Sequence, residues 1–294
     1  MMNKLKIAIT TDTNSGMLPH EADDKGLFVL PMPFIVDDTV LLESIDLSRD
    51  EFYEKLKGNA RITTSQPSTE EVTDFWRELL KNYDAIVHIP TSTLLSNSCA
   101  TAQNLAKEEE FAGKVFVVDN KRMSFSLKSS AYDGVTLRDQ GKSPEEIQAI
   151  LEETAQDYVA YFSLTSMEYL KRGGRISPAV AAIGSMLKLR PVLSLKGGKL
   201  EKFSTPRTLI KAKEAMKEAI KNELATTFKT FVDNGEMRLC LIYSDNIDDA
   251  EVFKQEIEKD FPNIPVEYFD PMSLSIACHV GPGTLALGCY RVLK

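Results

Sequence analysis

Three short apolar runs in the first half of the chain show almost no alternation with polar residues. They are KIAIT (Lys6 to Thr10), AIVHIP (Ala85 to Pro90) and KVFVVD (Lys114 to Asp119). A strand that is apolar at successive positions buries both of its faces, as happens in a parallel sheet covered by helices on each side. Between these runs, Thr69 to Lys81 and Ser96 to Glu109 carry apolar residues at helical spacing. The pattern predicts an open, mainly parallel α/β sheet.

The second half of the chain combines strands and helices differently. At 294 residues the chain is long enough for two domains. A helical tract begins at Ser143, and we place the domain boundary after it, near Asp157, so that residues 1–157 form an N-terminal α/β domain and residues 158–294 form a second one. The second domain is predicted to be a mixed-sheet α+β unit, with a hairpin at LKGGKL (Leu195 to Leu200) and a short helix from Ala179 to Leu187.

Charge and hydropathy exclude several classes of function. The net charge of −8 and the pI of about 5.2 argue against general binding to nucleic acid, which needs a basic surface. The apolar run at the N-terminus stops at Asp12, which indicates a buried strand rather than a secretory signal, so we expect a cytoplasmic protein. The four cysteines include no CxxC pair, so no metal site is predicted.

Two segments rich in hydroxyl groups stand in front of predicted helices. They are RITTSQPST (Arg61 to Thr69) and PTSTLLSNSCATAQ (Pro90 to Gln103). In an open parallel sheet, the carboxyl ends of the strands meet helix N-termini, whose free N–H groups attract anions. Taken singly, each segment is also what a well-capped helix requires. Taken together, they place two pairs of hydroxyl groups near one small anionic group: Thr64 and Ser65, and Ser92 and Ser96.

Two kinds of catalytic or phosphate site compete with that interpretation. A serine nucleophile would be Ser96 or Ser65 with His279, but no GxSxG turn is present. His88 falls inside an apolar strand and His20 in an acidic loop, so both are poor candidates for a catalytic base. No P-loop sequence occurs, and GPGTLA (Gly281 to Ala286) lies too close to the C-terminus for a dinucleotide-binding unit.

A basic cluster occurs around YLKRGGRISPA (Tyr169 to Ala179), in a chain that is otherwise acidic. Its positive charges suit a phosphorylated ligand or an acidic partner surface. The alternative is a solvated positive face, with the glycine pair Gly173 and Gly174 ending a helix.

In their order along the chain, these segments resemble the DegV family, whose members bind fatty acids. The resemblance rests on TTDTNSG, TTSQPS, IPTSTLLSNS, VFVVDN, SMEYLKRGGRIS and HVGPGTLALG, which span essentially the whole chain. It implies two α/β domains with an acyl tunnel between or beneath them, the second domain contributing the acyl pocket and His279. Close relatives act as the FakB subunit of bacterial fatty acid kinase. They hold a fatty acid while a separate kinase subunit phosphorylates its carboxyl group.

The resemblance also implies roles for individual residues. The carboxylate would be held by Thr64 and Ser96, with His279 near the same headgroup. Arg175, Arg172 and Arg207 would contact the phosphate or dock the kinase. No catalytic residue and no cofactor other than the bound fatty acid is implied, and membrane contact would be transient.

Two departures from the family pattern concern the ligand. The usual LSGT is LSNS here, so that Asn97 replaces a glycine and Ser98 a threonine, and the opening TDS motif is TDTNSG. Asp12 and Ser96 remain, so headgroup binding is expected to persist while the identity of the ligand stays open. A serine-dependent esterase or acyl transferase, and a regulatory module for another small anionic metabolite, remain as alternatives.

Overall fold

The computed structural model describes residues 5–22, 26–43, 45–58, 60–175, 180 and 189–294. The helix predicted from Ala179 to Leu187 lies, apart from Val180, outside the described residues. In chain order, the described α-helices are α1 (Pro19–Ala22), α2 (Arg49–Lys57), α3 (Thr69–Leu80), α4 (Ser98–Leu105), α5 (Ser124–Asp139), α6 (Pro144–Glu153), α7 (Glu168–Gly173), α8 (Leu209–Ala225), α9 (Lys229–Asp233), α10 (Ile247–Asp260) and α11 (Leu274–Val280). The strands are β1 (Ile7–Asp12), β2 (Leu27–Leu30), β3 (Pro33–Val36), β4 (Thr39–Leu42), β5 (Ile62–Thr64), β6 (Ala85–Ile89), β7 (Val115–Val117), β8 (Tyr158–Ser163), β9 (Val192–Lys196), β10 (Lys199–Ser204), β11 (Met237–Tyr243), β12 (Val266–Pro271) and β13 (Leu285–Arg291).

The predicted parallel sheet is confirmed, with strand order β2-β1-β6-β7 and every neighbouring pair parallel. Successive residues of one strand point into different cores. Ile7 and Ile9 pack with the helices α5 and α6, whereas Ala8 packs with α3 and α4. Burial on both faces explains why these strands have continuous apolar sequences.

A three-stranded antiparallel sheet, β4-β3-β5, was not predicted. Its strands are short and β4 is largely exposed, so no periodic apolar pattern marks it. The β3–β4 turn places Asp37 and Asp38 at φ of 48° and 69°, the left-handed values that two-residue hairpins need. Because β5 ends at Thr64, this residue lies at the end of a strand and not in a free loop.

The predicted mixed sheet is confirmed as well, with strand order β10-β9-β8-β13-β11-β12. Only β11 and β12 pair in parallel among its described strands. Helices α8 and α10 cover one face of this sheet, around Met216 and Phe253. The other face, which includes Ala160 and Ala286, packs against residues of β3, β5, α2 and α11. This second face, here called the inner face, therefore packs against elements from the first 64 residues and against α11. The division of the chain after Asp157 stays a prediction.

The structure agrees with two local predictions and differs from two others. The LKGGKL hairpin forms, with Gly197 and Gly198 at φ of 55° and 75°. Gly174 ends α7 at a φ of 67°, as expected for a helix C-cap. His20 lies in the short helix α1 rather than in a loop. The helix predicted to start at Ser96 starts at Ser98, since the Ser96 hydroxyl accepts a hydrogen bond from the Ser98 N–H (3.2 Å) outside the helix.

Candidate functional site

A cavity, here called the inner cavity, lies between the carboxyl ends of β1 and β6, the strand β5, the helix α11 and the inner face of the mixed sheet. Most of its wall is apolar side chains, including Phe125, Phe162 and Leu195. Polar side chains also line it: Asn14, Thr64, Ser65, Thr91, Ser96, Ser124, Arg175, Ser275 and His279. The cavity therefore suits a molecule with an apolar body and a polar end.

The polar end contains a hydrogen bond between residues far apart in sequence. The Thr64 Oγ1 and the His279 Nε2 are 2.9 Å apart. The His279 Nδ1 is buried, and no partner for it is found among the described residues. A buried N–H without a partner is rarer than an unpaired acceptor, so we assign the ring proton to Nε2. With Nε2–H donating to Thr64, the Thr64 hydroxyl hydrogen is free to donate to a ligand in the cavity.

The electrostatics of His279 keep its imidazole neutral in the cavity wall. Burial, followed by the positive charge of Arg175, lowers the pKa of His279 to about 4. The imidazole is therefore uncharged near neutral pH. A carboxylate bound at Thr64 would meet hydroxyl groups and a neutral ring, with the positive charge of Arg175 in the same cavity wall.

The helix α11, which carries His279, is fixed to the N-terminal half of the chain. The Glu43 carboxylate accepts a hydrogen bond from the Leu274 N–H (2.5 Å), and Arg49 donates to the Met272 carbonyl (2.6 Å). Burial raises the pKa of Glu43 to about 7. Glu43 binds the first turn of a helix whose last turn holds His279, so it sets the position of the imidazole indirectly.

A second buried polar group lies where β1 and β6 end. Asp12 accepts hydrogen bonds from the Thr91 N–H (2.7 Å) and hydroxyl (2.9 Å), and burial raises its pKa. The Asn14 amide donates to Thr91 (2.9 Å) and accepts from Ser275. Sequence reasoning did not assign Asn14 and Ser275 to the site. Their positions offered a signal, because Asn14 follows a strand end and Ser275 precedes His279 by one helical turn.

The predicted serine residues have different surroundings. Ser96 is half-buried, lines the cavity and donates to the Ser98 hydroxyl (3.0 Å). Ser65 also lines the cavity, but its hydroxyl donates to the Gln66 carbonyl (3.0 Å). Ser92 is fully buried, accepts from the Leu94 N–H (3.2 Å) and is absent from the described lining, so it supports the loop.

An outer cavity adjoins the inner one and opens more widely. Its wall is formed by residues 93–97, Gly174, Arg175 and residues 198–201, and it shares Leu95, Ser96, Arg175 and Leu200 with the inner cavity. Asn97, which departs from the family pattern, lines only the outer cavity. Arg172 lies over the Tyr169 ring at 5.1 Å and Arg207 is exposed, and neither lines a described cavity. Of the three predicted arginines, Arg175 alone reaches the site.

The third histidine belongs to the core. Burial lowers the pKa of His88 to about 3, its Nδ1 is 2.7 Å from the Thr10 Oγ1, and its ring packs on Trp76 at 5.4 Å. Across the described residues we find no cluster of His, Cys, Asp and Glu side chains that would hold a metal ion. In that same part of the chain no helix has both the length and the apolar character to cross a membrane.

The fold and the site define a class: an α/β protein with a parallel, a mixed and a short antiparallel sheet, which encloses a largely apolar cavity with polar side chains at one part of its wall. The family model for DegV proteins matches residues 6–292. The chain belongs to the DegV family, as its motifs indicated.

The similarity to individual relatives extends over almost the full length of both chains. Protein DegV of Bacillus subtilis (strain 168) is 27% identical over 98% of this chain and 100% of its own. The structure of a DegV family protein from Thermus thermophilus, described by its fatty acid binding, has 30% identity and a TM-score of 0.84, covering 98% of this chain and 100% of that one. DegV of Bacillus subtilis, described as a fatty acid binding protein, has 26% identity and a TM-score of 0.81 over 98% and 99% of the two chains.

Proposed function

We propose that this protein binds a long-chain fatty acid, with the carboxylate at Thr64 and Ser96 and the tail in the inner cavity. The observation that carries the proposal is the apolar cavity whose polar end has the Thr64 hydroxyl paired with a neutral His279. The fatty acid binding described for the relatives from Thermus thermophilus and Bacillus subtilis supports it.

The energetics of such a complex divide between the tail and the headgroup. Burial of the tail contributes about 0.8 kcal/mol per methylene and supplies most of the affinity. Hydrogen bonds from Thr64 and Ser96 then fix the direction in which the acid enters. Arg175, exposed and bound to the Gly173 carbonyl at 2.8 Å, adds positive charge where the two cavities meet.

We further propose that the protein is a carrier without chemistry of its own, which presents the carboxylate to a separate cytoplasmic kinase subunit and then holds the acyl phosphate. The outer cavity supports this role, because it reaches Ser96 and Arg175 from outside and has Lys199 on its wall. The added phosphate would lie next to Arg175 and Lys199, while Glu201 on the same wall carries a negative charge, and no other cofactor enters the scheme.

The geometry supports the two alternative functions less well. In an esterase, Ser96 or Ser65 would pair with His279, but the His279 Nε2 contacts the Thr64 hydroxyl instead. No carboxylate orients the imidazole through Nδ1 within the described ranges. A small anionic metabolite without a tail would leave the apolar wall of the inner cavity uncovered.

Identification of the bound molecule tests the proposed binding function. Protein purified without added lipid should release fatty acids on organic extraction and show matching mass shifts in native mass spectrometry. Delipidated protein should take up palmitate or oleate again, and incubation with an acyl ester should give no turnover. Absence of both co-purified and added fatty acid would disprove the proposal, and steady ester hydrolysis would favour the enzyme.

Charge reversal tests the kinase-facing role. We expect Arg172→Glu with Arg207→Glu to slow phosphorylation of bound acid by a bacterial fatty acid kinase about fivefold, because complementary charge speeds encounter with a partner. Fatty acid affinity should stay unchanged, since neither side chain lines a described cavity. The control is Lys81→Glu, an exposed charge at the C-terminal end of α3. Equal phosphorylation rates in the parent, the double variant and the control would show that Arg172 and Arg207 do not dock the kinase.

A further inference from the structure

Small residues on the inner face of the mixed sheet leave room for the inner cavity. In the antiparallel register, Gly288 of β13 stands opposite Ala160 of β8, and Ala286 stands opposite Phe162. Ala160, Phe162 and Ala286 line the inner cavity. Glycine and alanine at three positions of one face leave space that larger side chains would fill.

The ring of Phe125 occupies the space over Gly288. A Cβ atom built on Gly288 would lie 2.4 Å from the Phe125 Cζ and 3.0 Å from the Cys240 Sγ. The ring therefore touches the backbone of the sheet, and no side chain fits between them. Phe125 is 3% exposed, and its inward face lines the cavity.

Two aromatic side chains pack against the Phe125 ring. Phe125 packs edge-on against Tyr158 at 6.4 Å and at a tilt against Tyr290 at 5.7 Å, and Tyr290 stacks on Tyr268 at 5.4 Å. Tyr158 donates to the Lys121 carbonyl (2.7 Å), and Tyr290 donates to Glu267 (2.6 Å). Because both tyrosines are fixed by hydrogen bonds, Phe125 cannot retreat when a ligand presses on it.

The backbone at the start of α5 is unusual next to Phe125. Ser124 has a φ of 53°, in the left-handed region that few residues other than glycine adopt. Met123, Ser124 and Phe125 line the cavity in succession at this turn. The buried Arg122 anchors the turn by donating to the Thr154 carbonyl (2.6 Å).

The register of β13 locates the Phe125 ring within the cavity. β13 begins after the turn that follows His279, and Gly288 lies two residues beyond Ala286, or about 7 Å at the usual strand rise. Phe125 therefore bounds the cavity about two strand residues further along β13 than Ala286. Behind it lie the packed rings of Tyr158 and Tyr290.

We propose that Phe125, held against Gly288, is the wall that limits the length of the acyl tail this protein accepts. The inference rests on the proposed fatty acid binding and adds the residue that sets its specificity. A tail that reaches the ring gains affinity with each methylene, and a longer tail must bend or leave its end unburied. Changing the wall should move this limit without changing the carboxylate contacts of Thr64 and Ser96.

The test compares saturated acids from laurate to arachidate in competition with a fluorescent fatty acid. For the unchanged protein, affinity should rise about fourfold per methylene and then level off or fall at a limiting length. Phe125→Leu should shift that limit to longer acids. Gly288→Ala should shift it to shorter ones, since the new methyl group pushes the ring into the cavity. The control Phe253→Leu, a buried ring under the opposite face of the sheet, should leave the profile unchanged.

Thermal unfolding identifies variants that do not fold, and the two substitutions act in opposite directions, so either one alone tests the wall. If a folded variant has the same limiting acid length as a parent protein that binds fatty acids normally, the inference about Phe125 is wrong while the proposed function stands. A parent protein that binds none of these acids would overturn the proposed function and this inference together.

Discussion

Removing the two predicted carboxylate donors together, as Thr64→Val with Ser96→Ala, is expected to lower the affinity for a long-chain fatty acid about a hundredfold to ten-thousandfold. Each hydrogen bond to a charged group contributes about 1.5–3 kcal/mol, and 1.4 kcal/mol corresponds to a factor of ten. Valine keeps the volume of Thr64, so the tail contacts should persist. A fluorescent fatty acid titrated into delipidated protein measures the change.

Two controls show whether the loss belongs to the headgroup. Thr63→Val alters the preceding residue of β5, which does not line the described cavity, and should bind like the parent protein. A fatty acid methyl ester has no carboxylate, so its weaker binding should be almost the same in the parent and the double variant. If the double variant binds the free acid within a few-fold of the parent, the carboxylate lies elsewhere in the cavity.

Sequence reasoning reached the fold, and it predicted part of the candidate site, because the relevant signals are local. Continuous apolar strands predict a sheet covered on both faces. Thr64 is the last residue of β5, and Ser96 lies in the loop that follows β6. The three-stranded sheet was missed because β4 is exposed and β5 has three residues, too few for a periodic pattern. Short strands depend on their partners more than on their own composition.

The remaining part of the site depends on contacts that no local pattern reveals. The pairing of Thr64 with His279 joins positions 215 residues apart, and it was expected only through the family resemblance. The wall at Phe125 depends on a left-handed Ser124 and on the missing side chain of Gly288. Each of these residues has an ordinary sequence neighbourhood, and only the packed structure gives it a role.

The substitution Gly173→Ala is expected to abolish the Thr64–His279 hydrogen bond, even though alanine is the better helix-forming residue. Gly173 is the last residue of α7, and alanine is favoured over glycine in helices by up to about 1 kcal/mol. A Cβ at this position would lie 2.0 Å from the His279 Nδ1, so the imidazole must leave its place. Without the ring, the Thr64 hydroxyl is no longer oriented, and we expect fatty acid affinity to fall about tenfold to a hundredfold.

The neighbouring glycine supplies the matched control. Gly174 has a φ of 67°, and a Cβ at this position would meet nothing within 4 Å, so Gly174→Ala strains the backbone without touching His279. It should lower the free energy of unfolding by about 1–2 kcal/mol and leave fatty acid affinity unchanged. Thermal unfolding and ligand titration of the two variants thus separate the lost contact with His279 from a general loss of stability. Normal affinity in Gly173→Ala, with the His279 ring signals unshifted in NMR, would show that the imidazole does not position Thr64 for the ligand.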